Sequence, residues 1–155
     1  MSAVHWIIAA AALTFVQPGQ AATTDPEVII YRFPGVADGG GADNVGVATV
    51  FHCTNFSGVM ENIRFVTRKT SGDLATNVAF SIAHLATRTV PTHPTLAYSD
   101  SANNLNTGVV EGTTAIAATS INVICTAMTI DASAATPIGV ALRGIRFNPV
   151  PGTQE

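Results

Sequence analysis

Charge is scarce in this sequence. Seven lysines and arginines and ten aspartates and glutamates make up only 11% of its 155 residues, against about 25% in an average soluble protein. The basic residues, Arg32, Arg64, Arg68, Lys69, Arg88, Arg143 and Arg146, form no long run. A nucleic-acid surface needs many clustered cations and a membrane-surface patch needs a polybasic segment, so the sequence argues against both. Long solvated helices, usually rich in Glu, Lys and Arg, are disfavoured too. Polarity comes instead from Thr, Ser, Asn and Gln, which suits strands and turns.

Cysteine is scarcer still in number. Cys53 and Cys125 are the only two, and neither sits in a CxxC pair that would make a redox site. The one tryptophan is Trp6. HExxH and GxSxG patterns are missing, and no close pair of acids suggests glycoside hydrolysis. No apolar run reaches the roughly 20 residues of a membrane span. The longest candidate, Ala115 to Ile130, is interrupted by Thr119, Ser120, Asn122, Thr126 and Thr129 and reads as buried strand.

What is present begins with a short apolar run, Ile7 to Val16, followed by Gly19 and Ala21. Small residues at those two places fit a signal-peptidase site, so residues 1–21 read as a signal peptide, although its start carries His5 in place of Lys or Arg. Residues 22–155 then form a single β-sandwich domain, secreted or periplasmic, with no membrane span after cleavage. In an oxidising compartment Cys53 and Cys125 most simply form one disulfide. Closing a loop of about 70 residues adds roughly 4 kcal/mol in the chain-entropy model.

Alternation carries the fold class. Glu27 to Phe33 reads as a strand ended by Pro34 and Gly35. Val45, Val47, Thr49, Phe51 and Cys53 share one face of a second, and Ile63 and Phe65 point inward from a third. Asn77 to Thr89 places Val78, Phe80, Ile82 and His84 together, with enough Ala to leave a helix open. Thr113 to Asp131 reads as one long β run, and Ile138 to Phe147 as a closing strand bulged at Gly144. The tail Asn148 to Glu155 follows. Seven or so short strands predict an all-β, antiparallel β-sandwich. Cysteines in the second and second-to-last strands resemble the inter-sheet bridge of an immunoglobulin-like sandwich. No core Trp is available to pack on that bridge, and Val123 stands where a tyrosine corner has Tyr. The resemblance therefore implies broad architecture alone.

Candidate chemistry rests on residue type rather than spacing. His52, His84 and His93 are candidate zinc or copper ligands, since imidazole suits both metals. Alternation turns His52 away from the face of Phe51 and Cys53, groups His84 with an apolar set, and leaves His93 in a loop between Pro91 and Pro94. The acids, among them Asp38, Asp43, Glu61 and Asp131, read as loop and turn residues. Asp38 to Asn44 is rich in oxygen donors but lacks an EF-hand pattern. Asn55-Phe56-Ser57 matches a glycosylation acceptor. No cofactor is implied.

These features favour a non-catalytic exported module, binding, adhesive or structural, with an extracellular or periplasmic ligand. Its contact loops would be Pro34 to Asn44 and Pro91 to Asn106. Assembly into a fibre by strand exchange is one version. The alternative is a secreted enzyme, a metal-dependent hydrolase using His52, His84 or His93.

Overall fold

The computed structural model describes residues 26–39, 43–98, 104–108 and 111–147. The signal-peptide reading of residues 1–21 and the tail from 148 onward lie outside the described residues. Within them there is no helix, and the strands are β1 (Val28–Val36), β2 (Asp38–Gly39), β3 (Val47–Asn55), β4 (Glu61–Lys69), β5 (Leu74–Ile82), β6 (Thr87–Pro91), β7 (Gly112–Ala118), β8 (Val123–Asp131), β9 (Val140–Leu142) and β10 (Ile145–Arg146). One sheet has the order β10-β1-β7-β4-β5; the other runs β2-β3-β8-β9, with β6 also on β3. Every pairing is antiparallel. The protein is the antiparallel β-sandwich that its period-two alternation implies.

The interior is built where the two apolar faces meet. Phe33, Phe51 and Phe65 are fully buried. Phe51 comes from the second sheet and stands between the other two, with ring centroids 5.6 Å and 5.5 Å away, and Phe80 extends the row 6.0 Å beyond Phe65. Such aromatic contacts add about 0.5–1.5 kcal/mol each beyond the area they bury. Thr67 and Thr114, also buried, satisfy each other through a 2.8 Å hydroxyl contact.

Several boundaries differ from the sequence reading. β1 continues through Pro34 to Val36. β10 reaches only Tyr31 and Arg32, so among the described residues Pro34 lies where one side of β1 has no strand partner for the N–H that proline lacks. The stretch Asn77 to Thr89 is two strands, β5 and β6, with a turn at Ala83 to Ala86. Thr113 to Asp131 is also two strands, β7 and β8, which belong to different sheets. Ser120 and Asn122, which interrupt the apolar run, mark the turn between them. Val45 and Val47 are exposed at the open end of the strand, so the inward row starts at Thr49. The closing segment does not bulge within one sheet but crosses from β9 in one to β10 in the other. Gly144 makes that crossing, and any Cβ there would run into the Phe33 ring. Gly112 is held as tightly, because a Cβ would overlap the backbone oxygen of Arg68.

The chain changes sheets a first time at Ala37, between β1 and β2. Leaving the ladder strands the Ala37 N–H and C=O. The Thr49 hydroxyl accepts from the first at 2.9 Å and donates to the second at 3.0 Å. Buried backbone groups need partners, and threonine supplies them here because its hydroxyl both donates and accepts.

Cys53 and Cys125 are disulfide-bonded, as expected. The bridge is not inter-sheet, however. The two residues are direct register partners on β3 and β8, neighbours in one sheet, with Cα atoms 4.1 Å apart. That short spacing marks a non-hydrogen-bonded pair. The likeness to an immunoglobulin-like sandwich is thus one of broad architecture, and burial of the apolar faces, not sulfur, joins the two layers.

Candidate functional site

The structure does not bring His52, His84 and His93 together, and among the described residues no group of three or more His, Cys, Asp or Glu is placed to hold a metal ion. His52 lies half-buried on the outer face of β3, with Nδ1 3.0 Å from the Thr89 hydroxyl and its ring edge-to-face with Tyr98 at 5.2 Å. His84 is exposed in the β5–β6 turn, past the apolar set expected to enclose it, and its Nδ1 accepts from the Gly58 N–H at 3.0 Å. His93 is in a loop, as read, but buried.

Burial lowers the pKa of His52 below its usual value, because desolvation penalises the charged ring. The unfolded chain then binds a proton at a higher pH than the folded one. This contribution is fully present above about pH 6.5 and is lost as pH falls through the lower folded value. A His52→Gln variant is expected to lose less stability than the parent between pH 7 and pH 5, measured by urea unfolding at each pH.

His93 joins the two loops named from sequence as contact surfaces. Its Nδ1 lies 2.5 Å from Asp38 Oδ1 and its Nε2 3.1 Å from the Val45 carbonyl oxygen. A carbonyl only accepts, so the contact to Val45 has His93 Nε2 as its donor. The second Asp38 oxygen accepts from the Thr107 hydroxyl at 2.5 Å and the Gly108 N–H at 2.8 Å. Asp38 is therefore not a free loop carboxylate offered to calcium. It is 8% exposed, like His93, and ties β2 to the segments around Val45, His93 and Thr107. Every named atom of this cluster points at a protein partner, which makes it a clamp for that end of the sandwich.

The opposite end has a different character. The β3–β4, β5–β6 and β7–β8 connections meet there through Leu85 N–H to Asn55 O at 2.7 Å, Asn55 N–H to Ala86 O at 3.1 Å and Phe56 N–H to Asn122 O at 3.0 Å. These loops hold large apolar side chains in solvent: Phe56, Met60, Leu85 and Ile121 are 52%, 53%, 65% and 45% exposed. Leu85 has φ +61°. It is the third residue of a turn closed by Ala86 N–H to Ala83 O at 3.1 Å, a place usually given to Gly or Asn. A branched side chain in that conformation costs roughly 1–2 kcal/mol.

A second cost lies at the base of the same loops. Glu61 is fully buried. Its Oε2 accepts from the Thr119 hydroxyl, while its Oε1 has no hydrogen-bond partner among the described residues. The residue is opposite Ile82 in the β4–β5 register, so it lies where β4, β5 and β7 lead into the apolar loops. An unpaired buried oxygen costs about 1–3 kcal/mol, more when charged. Asn55, by contrast, is fully buried and satisfied, its side-chain amide donating to Val59 O at 2.7 Å and Ile82 O at 3.0 Å. The glycosylation pattern at Asn55 is therefore closed off in the folded protein.

The sequence reading missed both buried acids. Glu61 held a recoverable signal, since it falls on the inward parity of Ile63 and Phe65. Asp38 held none, because its partner is 55 positions away. Compared with known protein families, curated proteins and solved structures, the chain matches none.

Proposed function

We propose that this chain is an exported, non-catalytic binding module that engages an apolar surface of a protein partner through the loop end formed by Phe56, Met60, Leu85 and Ile121. The observation that carries the reading is Leu85, a large apolar side chain 65% exposed on left-handed backbone. Backbone strain of this kind persists where the surroundings enforce it, and it gathers at functional sites. The orphaned Glu61 oxygen adds a second departure from stability at the same end, and natural proteins concentrate such departures where they work. Clustered exposed apolar residues fit association. Export is supported by the apolar run before Ala21 and by the disulfide between Cys53 and Cys125. The contact surface thus moves from the clamped end to the opposite one.

Leu85→Asn separates the two roles of the residue, because Asn tolerates the left-handed conformation and removes the apolar tip. The variant is expected to be more stable than the parent by about 1 kcal/mol. With Phe56→Ser added, it should no longer retain the partner that the immobilised parent retains from the extracellular fraction of its own source. A destabilised Leu85→Asn variant, or identical retention by both proteins, would contradict the proposal.

A further inference from the structure

We infer that the cleft formed by β3, β8 and β9 binds a small organic amine, its ammonium group on Asp131 and its apolar group against Val47, Ile138 and Val140. The cleft arises where the inner face of the second sheet runs past the core. The inward row of β8 is Cys125, Ala127, Thr129 and Asp131. The first two are buried in the main core, Thr129 is half-buried and Asp131 is exposed. Val47 lies opposite Asp131, and Val140 opposite Thr129. With Ser133 and Ile138 these residues line an open cleft of about 570 Å³. Small-molecule sites span roughly 300–1,000 Å³ and are mostly apolar with a few polar groups. The apolar lining here is uncovered, since Val47, Ile138 and Val140 are 40%, 93% and 69% exposed.

The wall of the cleft is braced by the fold. Gly46 O accepts from the Ala132 N–H at 2.8 Å, and Ala132 O from the Leu96 N–H at 3.0 Å. His93 holds the carbonyl of the preceding residue, Val45. A wall fixed in this way needs little ordering when a ligand arrives.

Charge selects the occupant. Asp131 Oδ1 accepts from the Ser133 hydroxyl at 2.6 Å and the Ser133 N–H at 2.9 Å. These bonds hold its carboxyl below the usual carboxylate range. Among the described residues its Oδ2 has no partner, and no Lys or Arg pairs with it. All seven Lys and Arg of the sequence are among the described residues, so the undescribed segments hold none to bring to it. An amine supplies that missing cation through a charge-assisted hydrogen bond to Oδ2, and its apolar group covers the aliphatic wall. Carboxylates are disfavoured, because no cation lines the cleft. Val47 is also opposite Gly39, next to Asp38, so the cleft lies at the clamped end and does not depend on the loop-end reading.

Titration calorimetry of the full chain with phenethylamine, phenethyl alcohol and phenylacetate tests the inference. Phenethylamine should bind one per chain, and the alcohol and the acid about tenfold more weakly or worse. Asp131→Asn keeps Oδ1 for Ser133 and removes the charge. It should weaken phenethylamine about tenfold, while thermal melting shows an intact fold. Ile138→Ser, at an exposed position, should weaken it several-fold through the lost apolar contact. No phenethylamine binding at millimolar concentration, equal binding of phenylacetate, or an Asp131→Asn variant that binds as the parent does would each overturn the inference. So would a dimer in sedimentation equilibrium that Asp131→Asn abolishes, since it would assign the cleft to an arginine of a second copy.

Discussion

Asp38→Ala is expected to destabilise the protein by about 3–5 kcal/mol, the usual cost of removing one partner of a buried ion pair. The carboxylate accepts from His93, the Thr107 hydroxyl and the Gly108 N–H. Deleting it leaves those donors in a site where Asp38 and His93 are each 8% exposed. The loss comes mainly from the groups left behind rather than from the worth of the pair itself. Two comparisons separate these terms. His93→Ala should cost a similar amount, since it leaves Asp38 Oδ1 buried without its partner. The double variant should cost clearly less than the sum of the single ones, because the second change removes the buried polar group that the first orphaned. Guanidinium unfolding of the four proteins measures all of this. If Asp38→Ala changes stability by less than about 1 kcal/mol, the clamp reading of this cluster is wrong, since that is the range of an exposed pair.

The second large effect concerns the disulfide. Cys53→Ala with Cys125→Ala is expected to lower stability by about 4 kcal/mol while leaving the β-sheet spectrum unchanged. Alanine is the appropriate replacement because both positions are buried, at 0% and 5% exposure. The native state keeps its form because β3 and β8 are aligned residue by residue from Val47↔Asp131 to Asn55↔Val123 with or without sulfur. The bridge acts chiefly on the unfolded chain, which it holds in a loop of 72 residues. Removing it frees that ensemble and exposes more surface on unfolding, so the denaturant m-value should rise as the midpoint falls. A bridge between the sheets would behave otherwise, since its loss would loosen the packing between layers and disturb near-UV dichroism. Unchanged near-UV dichroism in the double variant is the signature of a bridge within one sheet.

The two ends of the sandwich show how far side-chain chemistry reads from sequence. At the clamped end the loops around Asp38 and His93 were visible as irregular, proline- and glycine-rich stretches. Their union was not, because it depends on a hydrogen bond between residues far apart in the chain. At the other end Phe56, Met60, Leu85 and Ile121 look like ordinary strand-flanking hydrophobics. Their exposure follows from turns that the pattern did not resolve. In the stretch that holds Leu85, alanine blurred the boundary between β5 and β6.

The sequence by itself determined the fold class, the parity of inward residues such as Phe51, Ile63 and Phe65, and the existence of a cysteine pair. Each of these is local: a side chain's face is set by a two-residue repeat, and two cysteines are countable. Only the tertiary structure decided which strands are neighbours. That choice places Cys53 beside Cys125 within one sheet, buries Asp38 against His93 and gathers the apolar loops at one end. The physical reason is that strand pairing is a long-range contact, governed by how whole apolar faces close over each other, and a strand's own residues carry little record of which partner it finds.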